Sequence, residues 1–191
     1  MTSSANNPSN VSVGKPMADG AIFVAPAGTA LPTDATTALA AAFLNVGFIS
    51  EDGVTNSIET DSEEIKAWGG DTVLEPQTSR KETFSFTMIE TNEVSLKQVF
   101  GEENVTVDSS TNKITVKHNG KEKSEYVYVI EVLMTGNRVK RQVIPRGKVT
   151  EIGEIVYVDN EAIGYETTVS ALIDSSGNTA YEYIATIADA E

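Results

Sequence analysis

Residues 124–136, SEYVYVIEVLMTG, are apolar at nearly every position, with Glu131 as the one interruption toward their end. A strand built from this run has no polar face to turn toward water, so it belongs at the centre of a sheet covered on both sides. That requirement constrains the fold more than any other segment does. Gly136-Asn137 follows as a two-residue turn signal of the kind hairpins use, and RVKRQVIPRGKV beyond it alternates like a strand with a basic solvent face.

The neighbouring segments agree with a sheet. In ETFSFTMI (82–89), Phe84, Phe86 and Met88 fall on one side and Thr83, Ser85 and Thr87 on the other, the pattern of a half-buried strand. YETTVSALID, SSGN and TAYEYIATIA read as a second hairpin, carried by β-branched and aromatic residues. AIFVAPAGTALPTD reads as a strand and then a loop. ATTALAAAFLNVGFIS stays open, because its alanines favour helix while Gly47 and its last residues favour a strand. One helix is clear, in ETNEVSLKQVFGEEN: Leu96, Val99 and Phe100 form its apolar stripe, Thr91 or Asn92 caps its start, and Gly101 ends it. These readings predict a mainly β fold, an antiparallel β-sandwich or partly closed barrel with one flanking α-helix.

A chain of 191 residues fits one domain. Residues 1–20 are rich in Ser, Asn, Pro and Gly and are expected to form an arm that is disordered alone, with 21–191 as the domain. No stretch approaches the ~18 consecutive apolar residues of a membrane span. The N-terminus lacks a basic stretch followed by an apolar one, so no export signal is expected and the cytoplasm is the expected place of maturation.

The formal net charge of −14 argues against a protein that grips nucleic acid by its phosphates, since that grip comes from Lys and Arg displacing counterions. The cations are concentrated between Lys113 and Lys148, and none follows Lys148, whereas acidic residues continue to Glu191. Such a basic segment and acidic tail complement one another between copies as readily as within one. The chain has no cysteine and a single histidine, His118, in a Lys-rich turn, which removes thiolate chemistry and the usual zinc sites. There is no P-loop, no G-x-S-x-G, no G-x-G-x-x-G and no EF-hand spacing. The expectation is a protein without enzymatic activity, cofactor or metal.

One stretch does not fit a bland domain. EEIKAWGGDTVL sets the only tryptophan, Trp68, against Gly69-Gly70 among acidic neighbours that usually mark a solvated loop. A large aromatic on such a hinge suits a surface awaiting a partner. The alternative is that Trp68 covers its own sandwich.

Taken in order, VGFISEDGVT, DSEEIKAWGGDTVL, ETFSFTMIETNE and VIPRGKVTEIGEIVYVDNEAIGYETTVSALIDSSG resemble the major tail tube proteins of long-tailed, non-contractile bacteriophages, over roughly residues 20–190. The resemblance implies a sandwich with a flanking helix, assembled as hexameric rings stacked into a hollow tube for the genome, in the virion tail. It implies assembly in the bacterial cytoplasm and, as partners, further copies of the chain, a tape-measure protein, a tail terminator and distal tail or baseplate proteins. DNA would pass without specific binding, and no membrane is involved. The family offers no catalytic residues to carry over. Contacts between rings would come from the N-terminal arm, the C-terminal segment and a long loop at about residues 59–81, where Ile65 and Trp68 would anchor a neighbouring ring and Gly69 and Gly70 would let the loop reshape. A tube that conducts DNA needs a lining of acidic or small uncharged groups, and Glu166, Thr168, Ser170, Thr83, Ser85 and Thr87 are the candidates. A solvent-facing outer sheet shows the same alternation. Alternatives are the inner tube of a contractile tail or injection system, and a β-sandwich surface-binding module, for which a row of exposed aromatics is missing.

Overall fold

Tyr126, Tyr128 and Ile130 point to one side of their strand, Val127 and Val129 to the other, and all five are buried. Each side has its own apolar cluster. The larger gathers Ile22, Phe84, Phe86, Met88, Leu96, Ile144 and Val169 around the first three residues. The smaller places Val127 and Val129 with Ala25, Phe43 and Val143, backed by Tyr181 and Tyr183.

A computed structural model describes residues 6–187. In chain order its strands are β1 (Gly14–Pro16), β2 (Ile22–Pro26), β3 (Leu44–Asn45), β4 (Ile49–Ser62), β5 (Ile65–Lys66), β6 (Thr72–Leu74), β7 (Gln77–Met88), β8 (Val105–Asp108), β9 (Lys113–Val116), β10 (Glu125–Met134), β11 (Arg138–Ile152), β12 (Tyr165–Ala171) and β13 (Tyr181–Thr186). Helix α1 (Glu93–Phe100) lies between β7 and β8. Nine strands join in one antiparallel sheet, ordered β3-β2-β10-β11-β12-β7-β4, with β1 added beside β10 and β13 beside β11. The expected mainly antiparallel β fold with one flanking helix is what forms; no barrel closes among the described residues. No helix among them is long and apolar enough to cross a membrane.

The sheet branches at β11. Its first half, Arg138 to Val143, pairs with β13, and its second half, Gly147 to Ile152, pairs with β12. The expected hairpin between β12 and β13 therefore does not exist. The two strands run in the same direction along one edge of β11, and the chain leaves the sheet between them. Asp174 organises that excursion by accepting hydrogen bonds from the backbone N–H groups of Ser176 and Asn178 and from the Tyr181 hydroxyl. SSGN does turn the chain, closed by backbone bonds from Asp174 to Asn178 at 2.9 Å and from Gly177 to Asp174 at 3.1 Å, but the turn lies in a loop and joins no paired strands.

The basic solvent face expected on β11 is also corrected. Arg141 is 4% exposed and faces the smaller cluster, directly across from Glu131 on β10. Its Nε donates to Glu131 at 2.7 Å, and its Nη1 donates to the carbonyl oxygens of Asp34 and Thr37 at 2.8 Å each. These bonds also resolve the alanine-rich run: residues 35–43 form neither helix nor strand. Asp34 accepts from the N–H groups of Thr36 and Thr37, which holds its carboxyl down at about 2, and backbone groups taken by side chains are lost to a helix.

Helix α1 begins as expected. Asn92 and Ser95 form a reciprocal capping box, and Gly101 ends the helix with a positive φ of 95°. Leu96 and Val99 enter the larger cluster, while the buried Tyr128 hydroxyl donates to Gln98 at 2.6 Å.

Breaking the Arg141 cluster should be costly. Arg141→Met leaves the partly buried Glu131 without its partner and two carbonyls without this donor, and is expected to lower stability by about 3 kcal/mol in urea unfolding. The pH dependence follows from buried Glu82. Burial alone would raise its pKa, but hydrogen bonds from Thr179, Arg80 and Asn56 outweigh burial and hold it low. A lowered folded-state value adds stability above the unfolded pKa of ~4.3, and this is lost as pH falls through the folded value. Urea midpoints should be flat from about pH 7 to 5 and drop below it, and Glu82→Gln should reduce that drop while lowering stability at neutral pH.

Candidate functional site

The segment expected as a long loop is a hairpin arm. Strands β4 and β7 pair beyond the body of the sheet from Glu59↔Lys81 to Ser62↔Gln77, and β5 and β6 extend the ladder toward the tip. Every residue from 58 to 81 is exposed, and the arm meets the body only at its base, where Arg80 donates to the Thr179 hydroxyl at 2.9 Å. Side-chain bonds stitch it instead: Ser79 to Asp61 at 2.6 Å, Ser62 to Glu75 at 2.5 Å, and Thr72 to Glu64 at 3.2 Å. At the tip the Gly70 N–H donates to the Ala67 carbonyl at 3.0 Å, and Gly69 and Gly70 take φ values of 127° and 100° that favour glycine.

Trp68 sits in that turn with a relative exposure of 106%. Ile65, Val73 and Leu74 are exposed beside it. Trp68 therefore does not cover its own sandwich. Lys66 shares the tip and pairs with Glu64 at 3.1 Å, both half exposed.

The second group of expected residues also comes together. Thr87 lies opposite Glu166, Ser85 opposite Thr168, and Thr83 opposite Ser170, in three consecutive cross-strand pairs on one face of β7 and β12. The Ser85 and Thr168 hydroxyls are 3.0 Å apart. The same face continues onto β4 with Thr55 and Ser57 and onto β11 with Thr150, whose hydroxyl is 3.3 Å from that of Ser170. Glu166 and Glu151 are exposed on it, and Lys148, opposite Ser170, is held by Glu122. The opposite sides of these strands supply Phe84, Phe86, Met88 and Val169 to the larger cluster. What results is a polar face of small hydroxyls and carboxylates, with Ser170 buried and Thr83, Ser85, Thr87 and Thr168 half-buried, fixed from behind by the core.

Two apolar features escaped the sequence reading. Phe48, just before β4, is 74% exposed beside a cleft of about 570 Å³ between the N-terminal segment and β10. That segment is tied down by β1, which pairs with residues 132–134. Val156, Tyr157 and Val158 form an exposed run between β11 and β12. Their spacing looks strand-like, and only the lack of a pairing partner, invisible in sequence, leaves them outside the sheet.

His118 packs against Phe100 with ring centroids 4.4 Å apart and planes tilted by 41°, and no group of three or more His, Asp or Glu among the described residues is placed to hold a metal ion. The cations of 113–148 are partly spent on local pairs, Arg146 with Glu125 at 2.8 Å and Lys121 with Glu103 at 2.8 Å, while Lys140 reaches the acidic C-terminal strand at Glu182, also at 2.8 Å.

A family model described as phage tail tube protein matches residues 4–190. No curated protein matches the chain. Among solved structures, a chain of the anti-feeding prophage cap, a tube-terminating cap determined by cryo-EM, is similar over 97% of this chain and 100% of its own, at 12% identity and a TM-score of 0.39. A likeness that loose transfers neither fold detail nor function.

Because Trp68 touches no core residue, Trp68→Ala should change the stability of the isolated chain by no more than about 0.5 kcal/mol. Urea unfolding followed by circular dichroism measures this, and a larger loss would mean that the arm packs on the body in solution.

Proposed function

Since the chain belongs to the phage tail tube protein family, a structural and non-enzymatic class, we propose that it polymerises as stacked hexameric rings into the tube of a long, non-contractile tail, through which the genome passes. Residues 59–81 bridge neighbouring rings, with Ile65 and Trp68 as anchors and Gly69 and Gly70 as the adaptable turn. The N-terminal arm and the C-terminal segment add to the same contacts. Rings form in the host cytoplasm on a tape-measure protein and end against a terminator and the distal tail proteins. The observation that carries this reading is the arm itself: an exposed two-stranded hairpin ending on a bare tryptophan is unstable as a free surface and is explained by a partner that covers it.

The polar face of β7 and β12 is the proposed lining. Its hydroxyls offer phosphate no charge, and Glu166 repels it, so DNA slides past. The free edge of β4 is used up by the neighbouring subunit, which removes the hazard of a long unpaired strand. Copies carrying a net charge of −14 repel one another, so added salt should promote polymerisation until the ion pairs between copies are themselves screened.

Glu166→Lys tests the lining. Symmetry turns one substitution into a ring of positive charges, repeated along the tube. Rings should still assemble, because Glu166 is exposed and lies away from both clusters. Genome delivery by such particles should slow or stop, and open tubes should bind DNA fragments in a manner that weakens with salt. Normal delivery without salt-dependent binding would place this face outside the channel.

A further inference from the structure

The cleft beside Phe48 and the tip carrying Trp68 lie at opposite ends of β4. Val54 lines the cleft near the start of that strand, and Trp68 lies beyond its end. The part of β4 between them, Val54 to Ser62, alone spans about 26 Å at ~3.3 Å per extended residue. An arm paired along that ladder, with Trp68 fully exposed at its tip, does not place the tip in its own cleft. A second copy is the only source of this tip that can fill it.

We propose that Trp68 of one copy seats in the cleft formed by Pro16, Met17, Ala18, Phe48, Val54 and Val132 of the next, an assignment that rests on the reading of the arm as a contact between rings. The fit is argued from size, apolarity and charge. At about 570 Å³ the cleft lies within the range that encloses a compact apolar group, and an indole with one flanking aliphatic chain is such a group. Exposed Phe48 at its mouth gives the indole an aromatic partner. The rim carries Lys15 together with Asp19 and Glu51, all exposed, and the tip carries Lys66 on one strand and Asp71 before the other. Docking can therefore set Lys66 against Asp19 or Glu51, and Asp71 against Lys15, two pairs of opposite sign around an apolar plug. Lys66 gives up only an exposed local pair with Glu64 to do so.

The contact joins two different surfaces of the same chain. It is a head-to-tail contact, which by itself propagates without closing. The N-terminal segment thereby builds the receptor for the neighbour's tip, because β1 pairs with the end of β10 and the residues after β1 wall the cleft.

The only tryptophan is its own reporter. In the dispersed chain its emission should be that of a solvated indole and iodide should quench it. In polymer the emission should shift to the blue and lose most of its quenching. Ala18→Arg places a long charged chain in the cleft at an exposed position, leaving the monomer's circular dichroism unchanged, and should raise the critical concentration for assembly by about tenfold or more. Since the chain has no native cysteine, Ala67→Cys in one population and Ala18→Cys in another should give a cross-linked dimer with a short bifunctional maleimide only when the two are mixed under polymerising conditions. If Trp68 becomes protected while Ala18→Arg assembles normally and the mixture gives no cross-link, the cleft is not the receptor, although the arm still bridges copies. If Trp68 stays fully quenched in polymer, both the cleft and the anchor are wrong.

Discussion

Burial of β10 on both faces is the constraint on which the rest of this molecule depends. A strand whose alternate side chains all seek cover needs apolar layers above and below, and the chain supplies them from different places. The larger layer comes from β7, β12 and α1; the smaller comes from β2, the irregular segment ending at Phe43, and β13. Because β11 pairs with β10 from Arg138 to Lys148, it must serve both layers, and it does so by offering its outer edge first to β13 and then to β12. The Arg141–Glu131 pair sits where the smaller layer thins out, and it binds the loop at residues 34–37 in place of apolar contact.

With the core fixed by these strands, the outer face of β7 and β12 is free to be polar and the far half of β4 and β7 is free to leave the body. The same two strands thus change character along their length. Near Phe84 and Phe86 they are half buried; beyond Glu82 they are exposed on every side. The hydroxyl-rich face stands on the rigid part, where it is held in place, and the arm is drawn from the part with no packing to restrain it.

Much of this was legible in the sequence because it is written in local patterns. The two-sided burial of β10 follows from SEYVYVIEVLM, the half-buried β7 from its strict alternation, and the helix from its caps at Asn92 and Gly101. The shared face of Thr83, Ser85, Thr87, Glu166, Thr168 and Ser170 follows from alternation plus one fact that sequence lacks, the in-register pairing of β7 with β12. What failed depended on distant partners. The basic pattern of RVKRQV implied a solvated face because nothing local reveals that Glu131 and two carbonyls await Arg141. SSGN is a turn, as its composition suggests, but that the strands on either side of it both pair with β11 rather than with each other is not a matter of composition. The cleft beside Phe48 was hidden for the same reason, since its walls come from four separate parts of the chain.

The arm also has a mechanical consequence. A two-stranded ribbon twists more readily than a packed sheet, and this one is stiffened only by its own ladder and a few exposed side-chain bonds. Where such ribbons link rigid bodies, deformation concentrates in the links. A tail joined in this way would curve by small rotations shared among many arms while the bodies keep their shape, giving a long filament that tolerates bending without opening its wall.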